Sequence, residues 1–600
     1  MHVEIAVAQF RPVKGDPAAS LDRLEASFAK LLDADPTPNV VVYPETALTG
    51  YFLEGGVREH AIPAMRLANE LARRYGRAGG AGRPLDVVVG FYEVWGHRLY
   101  NAAMYVELGA GEPRIVHVHR KVFLPTYGVF QEERFVEAGH AVRAFDTRWG
   151  RAAMLICEDL FHSISATLAA LDGAQILLVP SASPARGAEP GSGIPANLTR
   201  WHRLAQGAAE EHGVGVAVSQ LVGFEGGKGF AGGSVVFGPR GQLLAAGPLW
   251  DEALIGAGLD LEELTAARTD QPLLADLERA LPRLLQSRHL APDEDGFAPD
   301  RADTATGVND RNEWVGRPPR AGRSDARDPG LLEIDPALVT DWLVRFLQDE
   351  MLVRRGFERA VVGLSGGVDS ALTAALCARA LGPENVTGFL LPYRTSSPES
   401  SAHAELVADA LGIRTRTVDI SDAVDGYLVR HEPEADPTRR GNVMARMRMI
   451  VLFDQSAKLG ALPIGTGNKS ERLLGYFTWH ADDSPPINPL GDLFKTQVWS
   501  LARHLGLPPE VVDKPATADL IHGQTDESDL GVSYTEADLM LHHLLNGRSP
   551  EWLKEAGFEP AKVEIVFRRL EGTHWKRNLP TVAMLSGTAI GEWYLRPVDY

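Results

Sequence analysis

Short apolar runs separated by helical patterns lay out the first half of the chain. HVEIAVAQF (2–10), VVVYPE (40–45), LDVVVGFYE (85–93), RAAMLICED (151–159), AQILLVP (174–180) and VGVAVSQ (214–220) predict buried strands. Ser20–Asp33 and Thr199–His212 predict helices between them, and the alternation implies a layered α/β fold. Leu273, Leu274, Leu277, Leu281 and Leu284 recur at helical spacing, so one further helix is expected over 266–288. The pattern then lapses. Residues 289–330 are rich in Pro, Gly, Asp and Arg and poor in aliphatics, and are expected to be a linker. It resumes at 331 with a helix over Leu338–Glu350, a strand over Arg359–Leu364 and a helix over Asp369–Leu381. The expected organisation is therefore a domain at 1–288, a linker at 289–330 and a domain at 331–600.

Bulk properties narrow the function. A chain of 600 residues is too long for one hydrophobic core, which agrees with two domains. Sixty basic against 79 acidic residues leave a net charge of −19, which argues against nucleic acid and anionic membrane as partners. Two cysteines, Cys157 and Cys377, exclude a disulfide framework, and Cys377 reads as core packing on an apolar helix. The opening MHVEIAVAQF does not have the form of a signal peptide, and no run of about 18 apolar residues is present to span a bilayer. A cytoplasmic location is expected.

The segment ERAVVGL-SGGVDS-ALTAALCARAL places a glycine loop between a strand and a helix. Gly366 and Gly367 let the backbone turn tightly and approach a ligand. The free N–H groups at the helix start form an anion site, Ser365 and Ser370 add hydroxyls, and Asp369 can hold a Mg²⁺ bound to phosphates. No lysine follows the glycines, so this is not a GxxxxGK[ST] loop. It resembles the pyrophosphate loop of the ATP-pyrophosphatase superfamily, whose members cleave ATP between the α- and β-phosphates and adenylate an acceptor. Further stretches follow in order: LLPYRTSSPESSAHAELVADALGI, GNVMARMRM, GTGNKSERLLGYFT, NPLGDLFKTQVWSLA and ATADLIHGQTDESDLGVSY. Together they resemble the NAD⁺ synthetases over nearly all of 331–600.

That resemblance implies a Rossmann-like parallel-sheet domain of the adenine nucleotide α-hydrolase type. It implies ATP contacts at Leu364, Ser365, Gly366, Gly367, Asp369, Ser370, Thr466, Lys495 and Thr517, and Mg²⁺ at Asp369 and Glu471. Deamido-NAD⁺ falls to Asn442, Arg446, Glu471 and Lys576. One departure is FTWHADDSPP, where Trp479 stands in place of a lysine usual in ammonia-using relatives. An aromatic there reads as packing or channel lining.

In the first half, Glu45 lies just past a strand in VVVYPETALTGY, Lys121 just past one in HRKVFLPTYGVFQEERF, and Cys157 at the end of one in MLICEDLFH. Each alone is unremarkable. Together, in this order, they resemble the nitrilase superfamily over about 1–285, which implies an α-β-β-α sandwich. Cysteine supplies a nucleophile, a carboxylate can take its proton, and an ammonium can stabilise an oxyanion. Glu132 is a second carboxylate candidate, against a solvated loop charge. Tyr127, Ser183 and Arg186 are the candidate glutamine contacts; the basic residue usual a few positions past Ser183 is missing, with Arg186 near. Gln220 and Glu225 sit where the family varies.

The joint expectation is an enzyme that amidates deamido-NAD⁺ to NAD⁺ with ATP and Mg²⁺. Its ammonia would come from glutamine through a Glu–Lys–Cys amidase, and it would assemble as a homo-oligomer. The alternative is an ammonia-using synthetase whose nitrilase domain cleaves another amide or serves as a scaffold.

Overall fold

The computed structural model describes residues 2–53, 56–287, 326–517, 525–578, 583 and 585, and these divide into two compact units. Most of the expected linker lies outside the described residues. Its last part does not: Ala326 and Leu332 are buried in an apolar cluster of the second unit, with a 3₁₀ turn at Pro329–Leu332.

The first unit holds two six-stranded sheets. One runs in the order Ala253–Asp260, His2–Gln9, Val40–Val42, Leu85–Trp95, Arg98–Leu108, Arg114–Arg120. The other runs Leu243–Ala246, Val235–Phe237, Gly215–Gln220, Ile176–Ser181, Arg151–Met154, Ala144–Asp146. The central strands do not alternate apolar with polar positions, because both of their faces are covered: Val40, Val41 and Val42 are all fully buried, as are Ile176 to Val179. One core contains Val7, Val42, Ile156, Leu178 and Val218 and so fills the space between the sheets. Another packs the helices Pro17–Leu32 and Ala64–Tyr75 on the outer face of the first sheet through Leu24, Phe28, Leu67 and Leu71. Helices Ser163–Leu171 and Ala196–His212 cover the second sheet through Ala166, Ala169, Trp201 and Ala205. The layers are those of an α-β-β-α sandwich.

The six predicted strands are all present, as is the strand expected just before Lys121, at Arg114–Arg120, but the strand at Arg98–Leu108 was not anticipated. The helix expected over 266–288 is two, Leu261–Asp270 and Leu273–Ser287, because the backbone is extended at Gln271 and Pro272 follows. Leu273, Leu284 and Leu285 on the second of these are exposed within this chain.

The second unit is built on a four-stranded parallel sheet in the order Arg414–Thr417, Val386–Leu390, Ala360–Gly363, Leu462–Pro463. Helix Val368–Leu381 is apolar almost all round and buries Leu372, Ala375, Leu376 and Cys377, confirming the packing role expected of that cysteine. Helix Pro336–Gln348 starts at Asp335, whose carboxylate accepts the Ala337 and Leu338 N–H groups, with Pro at its first position. Among the described residues no helix is long and apolar enough to cross a membrane.

One glycine in the first sheet has a specific purpose. A Cβ on Gly90 would stand 2.5 Å from the Pro44 carbonyl oxygen and 2.6 Å from the Glu45 Cα. The Gly90 N–H donates to that carbonyl (3.2 Å), and its own carbonyl accepts the Ala47 N–H (2.9 Å). The strand thus carries the 44–47 turn directly on its backbone. Gly90→Ala is expected to destabilise the first unit by roughly 1–3 kcal/mol through overpacking. Calorimetric unfolding tests this: an unchanged Tm would contradict the close approach.

Candidate active sites

In the first unit, Glu45 follows strand Val40–Val42 and Lys121 directly follows Arg114–Arg120, so strand ends position both. Cys157 is not on the strand end itself. It opens the 3₁₀ turn Cys157–Phe161 beyond Arg151–Met154, with φ +45°. That left-handed conformation is costly for a residue with a Cβ and marks a sharp turn at the thiol.

Lys121 Nζ lies 2.8 Å from Glu45 Oε1 and 2.7 Å from Glu132 Oε1, and all three side chains are buried. Asn101 Nδ2 donates to Glu45 Oε1 (2.7 Å), and the Ala182 N–H donates to Glu45 Oε2 (2.9 Å). The Tyr51 hydroxyl donates to Glu132. Two carboxylates share one ammonium away from water, which makes the cluster short of positive charge. Burial pushes the Glu132 carboxyl up to about 7, with Lys121 restraining it and Glu45 adding to the rise. Burial works against the Lys121 charge, yet Glu132 and Glu45 outweigh it and hold the ammonium protonated well above its usual range. Burial and then the Glu45 charge push the Cys157 thiol well up, while Lys121, the Ser181 hydroxyl and the Ala182 amide favour the thiolate. Cys157 therefore rests as a thiol beside the Glu45 carboxylate.

Two acids to which sequence reasoning gave no role hold this set in place. Asp159 accepts the N–H groups of Val122 (3.0 Å), Phe123 (2.9 Å) and Ile156 (3.0 Å), with His119 Nε2 at 2.8 Å. It ties the segment after Lys121 to the turn that carries Cys157. Its signal in the sequence is an acid two places past the cysteine. Glu225 accepts the N–H groups of Tyr51 (3.0 Å) and Phe52 (2.8 Å), and so fixes the loop whose tyrosine reaches Glu132. Gln220 is buried on its strand, and its backbone N–H donates to the Ser234 hydroxyl (2.9 Å) rather than to the Glu45–Lys121 set.

The Tyr127 hydroxyl donates to Glu158 (2.8 Å). Asn197 donates to the Ser183 hydroxyl (3.2 Å) and the Pro184 carbonyl (2.9 Å) and accepts the Arg186 N–H (2.8 Å). The exposed Arg186 guanidinium lies beside Gly128, so the loops of Tyr127 and Arg186 adjoin.

In the second unit, the 365–370 loop joins strand Ala360–Gly363 to helix Val368–Leu381. Gly366 has φ +75°, and a Cβ there would collide with the Ser400 carbonyl oxygen, so both the angle and the space demand glycine. The Ser370 hydroxyl donates to the Gly367 carbonyl (2.9 Å) and accepts the Ser365 N–H (3.2 Å), which sets the loop shape. A cavity of about 260 Å³ opens over it, lined among others by Asp369, Thr466, Glu471, Lys495, Thr517 and Asp526. A second, more apolar cavity of about 170 Å³ is lined by Leu364, Phe389, Leu391, Met449, Leu452 and Ile464, and shares Ser365, Thr466 and Arg448 with the first.

Lys495 Nζ contacts Asp369 and lies 3.5 Å from Glu471 Oε1. Asn468 donates to Asp369 (2.9 Å) and caps helix Lys469–Leu474 by accepting the Glu471 N–H (2.9 Å). Burial and the Asp369 charge push Glu471 up to about 8, and Lys495 works the other way. Asn442, Arg446 and Lys576 do not line the first cavity. They converge on the loop beside it: Asn442 accepts the Thr478 hydroxyl (3.1 Å), Arg446 donates to the Trp479 carbonyl (3.0 Å), and Lys576 donates to the Gly475 (3.0 Å) and Phe477 (3.2 Å) carbonyls. Trp479 packs edge-to-face on Trp575, with centroids 5.2 Å apart. Asn468, Arg448 and Asp526 were not anticipated.

Comparison with known proteins places both units. Residues 4–269 match the carbon–nitrogen hydrolase family and residues 339–580 the NAD synthase family. Over 260 residues the chain is 49% identical to an NH₃-dependent NAD⁺ synthetase of Trichlorobacter lovleyi, covering 43% of this chain and 94% of the relative. The chain belongs to the NAD synthase family. A Fusobacterium nucleatum NH₃-dependent NAD⁺ synthetase is 44% identical over 255 residues, covering 42% of this chain and 98% of the relative. Among solved structures, a glutamine-dependent NAD⁺ synthetase of Acinetobacter baumannii in complex with ADP is similar in fold, with a TM-score of 0.65, 22% identity, and 97% and 96% of the two chains covered. A second glutamine-dependent NAD⁺ synthetase, from Cytophaga hutchinsonii, gives a TM-score of 0.64 at 17% identity, with 96% and 93% covered. The NAD synthase unit thus carries the glycine loop and both cavities, and the carbon–nitrogen hydrolase unit carries Glu45, Lys121, Glu132 and Cys157.

The raised Glu132 carboxyl has a measurable consequence. A carboxyl whose folded pKa lies above its unfolded value stabilises the fold fully below the unfolded value, and that contribution is lost as pH rises through the folded one. For Glu132 the window runs from 4.5 to about 7. Glu132→Gln removes a term of about 3 kcal/mol at most, so the fall of Tm of the first unit between pH 5 and pH 8 is expected to become shallower. Parallel Tm–pH curves for wild type and variant would contradict the burial of this charge.

Proposed function

We propose that this NAD synthase family enzyme converts deamido-NAD⁺, ATP, glutamine and water to NAD⁺, AMP, pyrophosphate and glutamate. One observation carries the reading: a buried Glu45–Lys121–Glu132 cluster beside Cys157 in the same chain as an NAD synthase unit. A cytoplasmic location and assembly as a homo-oligomer belong to the same reading.

In the first unit, Cys157 Sγ attacks the side-chain amide carbon while Glu45 takes the thiol proton. The Lys121 ammonium stabilises the tetrahedral oxyanion. The C–N bond breaks, Glu45 returns its proton to the leaving nitrogen, and ammonia departs from a thioester. Water then attacks the thioester carbon and gives a proton to Glu45, the C–S bond breaks, and glutamate leaves as the thiol is restored. Tyr127, Ser183 and Arg186 hold the amino-acid end of glutamine, with Arg186 on its carboxylate.

In the second unit, the 365–370 loop and the start of its helix hold the ATP phosphates, and the apolar cavity at Leu364 and Phe389 takes the adenine. Thr466, Lys495 and Thr517 contact the nucleotide, and Asn442, Arg446, Glu471 and Lys576 hold deamido-NAD⁺. The substrate carboxylate attacks the α-phosphorus and pyrophosphate leaves. Ammonia then adds to the acyl carbon, AMP leaves, and the amide remains. Asp369 and Glu471 fit Mg²⁺: both present hard oxygens to one cavity, and burial together with the Asp369 charge raises Glu471. Mg²⁺ held there would supply positive charge that offsets the phosphates.

Cys157→Ala is expected to abolish NAD⁺ formation from glutamine and to retain it from ammonium chloride. The assay follows NAD⁺ with each compound as the only nitrogen source. Glutamine-driven synthesis surviving in the variant would refute the nucleophile, and a wild type active only with ammonium chloride would refute glutamine as donor. Arg186→Ala is expected to raise the glutamine KM at least tenfold, since a charge-assisted pair is worth about 1.5–3 kcal/mol. Glutamate release measured against glutamine concentration checks it, and an unchanged KM would remove Arg186 from the site.

A further inference from the structure

Asn101 lies on strand Arg98–Leu108, a polar side chain in an apolar run, and is 1% exposed. Its side chain donates to Glu45 Oε1 (2.7 Å) and its carbonyl accepts the Lys121 N–H (2.9 Å). One residue therefore fixes both members of the ion pair. The two oxygens of Glu45 are not equivalent. Oε1 accepts from Lys121 and from Asn101, so both of its lone pairs are committed. Among the described residues, Oε2 accepts only the Ala182 N–H (2.9 Å), and that same amide faces the Cys157 thiol. The free lone pair of Glu45 is thus on the oxygen that shares the Ala182 amide with the Cys157 thiol.

We propose that Asn101 is a positioning residue of the amidase that commits Glu45 Oε1 to Lys121 and leaves Oε2 as the base for Cys157. The inference rests on the reading of the first unit as a thiol amidase. Without Asn101 the carboxylate is free to rotate about its last torsion and offer either oxygen to Lys121. It also loses a hydrogen-bond donor that stabilises the carboxylate, so proton transfer from Cys157 is expected to need a higher pH. The titratable groups facing Glu45 are Lys121, Glu132, Cys157, Tyr51 and Tyr92, and none replaces that donor: Lys121 is already bound to Oε1, and Tyr51 is engaged by Glu132.

The test is the pH dependence of Cys157 alkylation by iodoacetamide in the full chain, followed on the Cys157 peptide by mass spectrometry, together with glutamate release from glutamine. Asn101→Ala is expected to move the acidic limb of both profiles up by about one pH unit and to lower kcat at least tenfold, with the glutamine KM within twofold. Asn101→Ser, which keeps a short hydroxyl, is the second variant should the alanine fail to fold, with the same direction of shift expected. A folded variant whose acidic limb stays at the wild-type pH overturns the proposal, even if kcat falls. Wild type that alkylates with the expected profile but releases no glutamate would overturn the glutamine reading instead, because the alkylation arm needs no amide substrate.

Discussion

A lysine ammonium held out of water between two carboxylates is the constraint on which the first unit turns. Lys121 is fully buried, and so is Glu45, so neither charge survives alone in that interior. Each must keep its partner at hydrogen-bond distance, and the fold supplies that by bringing together three segments distant in sequence. Strand ends deliver Glu45 and Lys121, and the 132–134 turn delivers Glu132. Tyr51, Asn101 and the Ala182 amide donate to the same two carboxylates. The cost of desolvating these groups is what makes their geometry narrow, and a narrow geometry is what the proposed proton transfer from Cys157 requires.

The second unit adds a tightly turned backbone to a buried lysine and its carboxylate partners. Its loop at 365–370 presses against the Ser400 carbonyl, so close that only a glycine fits at 366. The polar groups around the larger cavity are partly open to water, and Lys495 stands between Asp369 and Glu471 where the proposed function puts phosphates and Mg²⁺. That lysine offsets the repulsion of two carboxylates in the ligand-free chain. The raised Glu471 carboxyl, buried and beside Asp369, records how incompletely it does so.

The two units therefore treat acid–base chemistry in opposite ways. The carbon–nitrogen hydrolase unit holds two carboxylates on one ammonium away from water, beside a thiol. The NAD synthase unit lines a cavity with an excess of carboxylate, which the proposed Mg²⁺ would offset for a polyphosphate. Membership in the NAD synthase family and the presence of a carbon–nitrogen hydrolase unit in the same chain agree with this division of labour.

Much of this was legible in the residues alone. Apolar runs such as VVVYPE and AQILLVP announce buried strands, because a strand covered on both faces has few polar positions to interrupt it. SGGVDS between a strand and a helix, and the ordered Glu45, Lys121 and Cys157, are local patterns whose chemistry is carried by residue type and short-range spacing. What stayed hidden depends on distance in space. Nothing local marks Asn101 as the donor to Glu45, 56 positions away, and the acid two places past Cys157 does not show that Asp159 also reaches Phe123, 36 positions away. Nor does composition reveal that Arg446 and Lys576 meet one loop from opposite directions in the chain. Burial and hydrogen-bond satisfaction are properties of the packed interior, so the sequence determined which groups were available and the tertiary structure decided which of them met, at what distance and with which proton affinity.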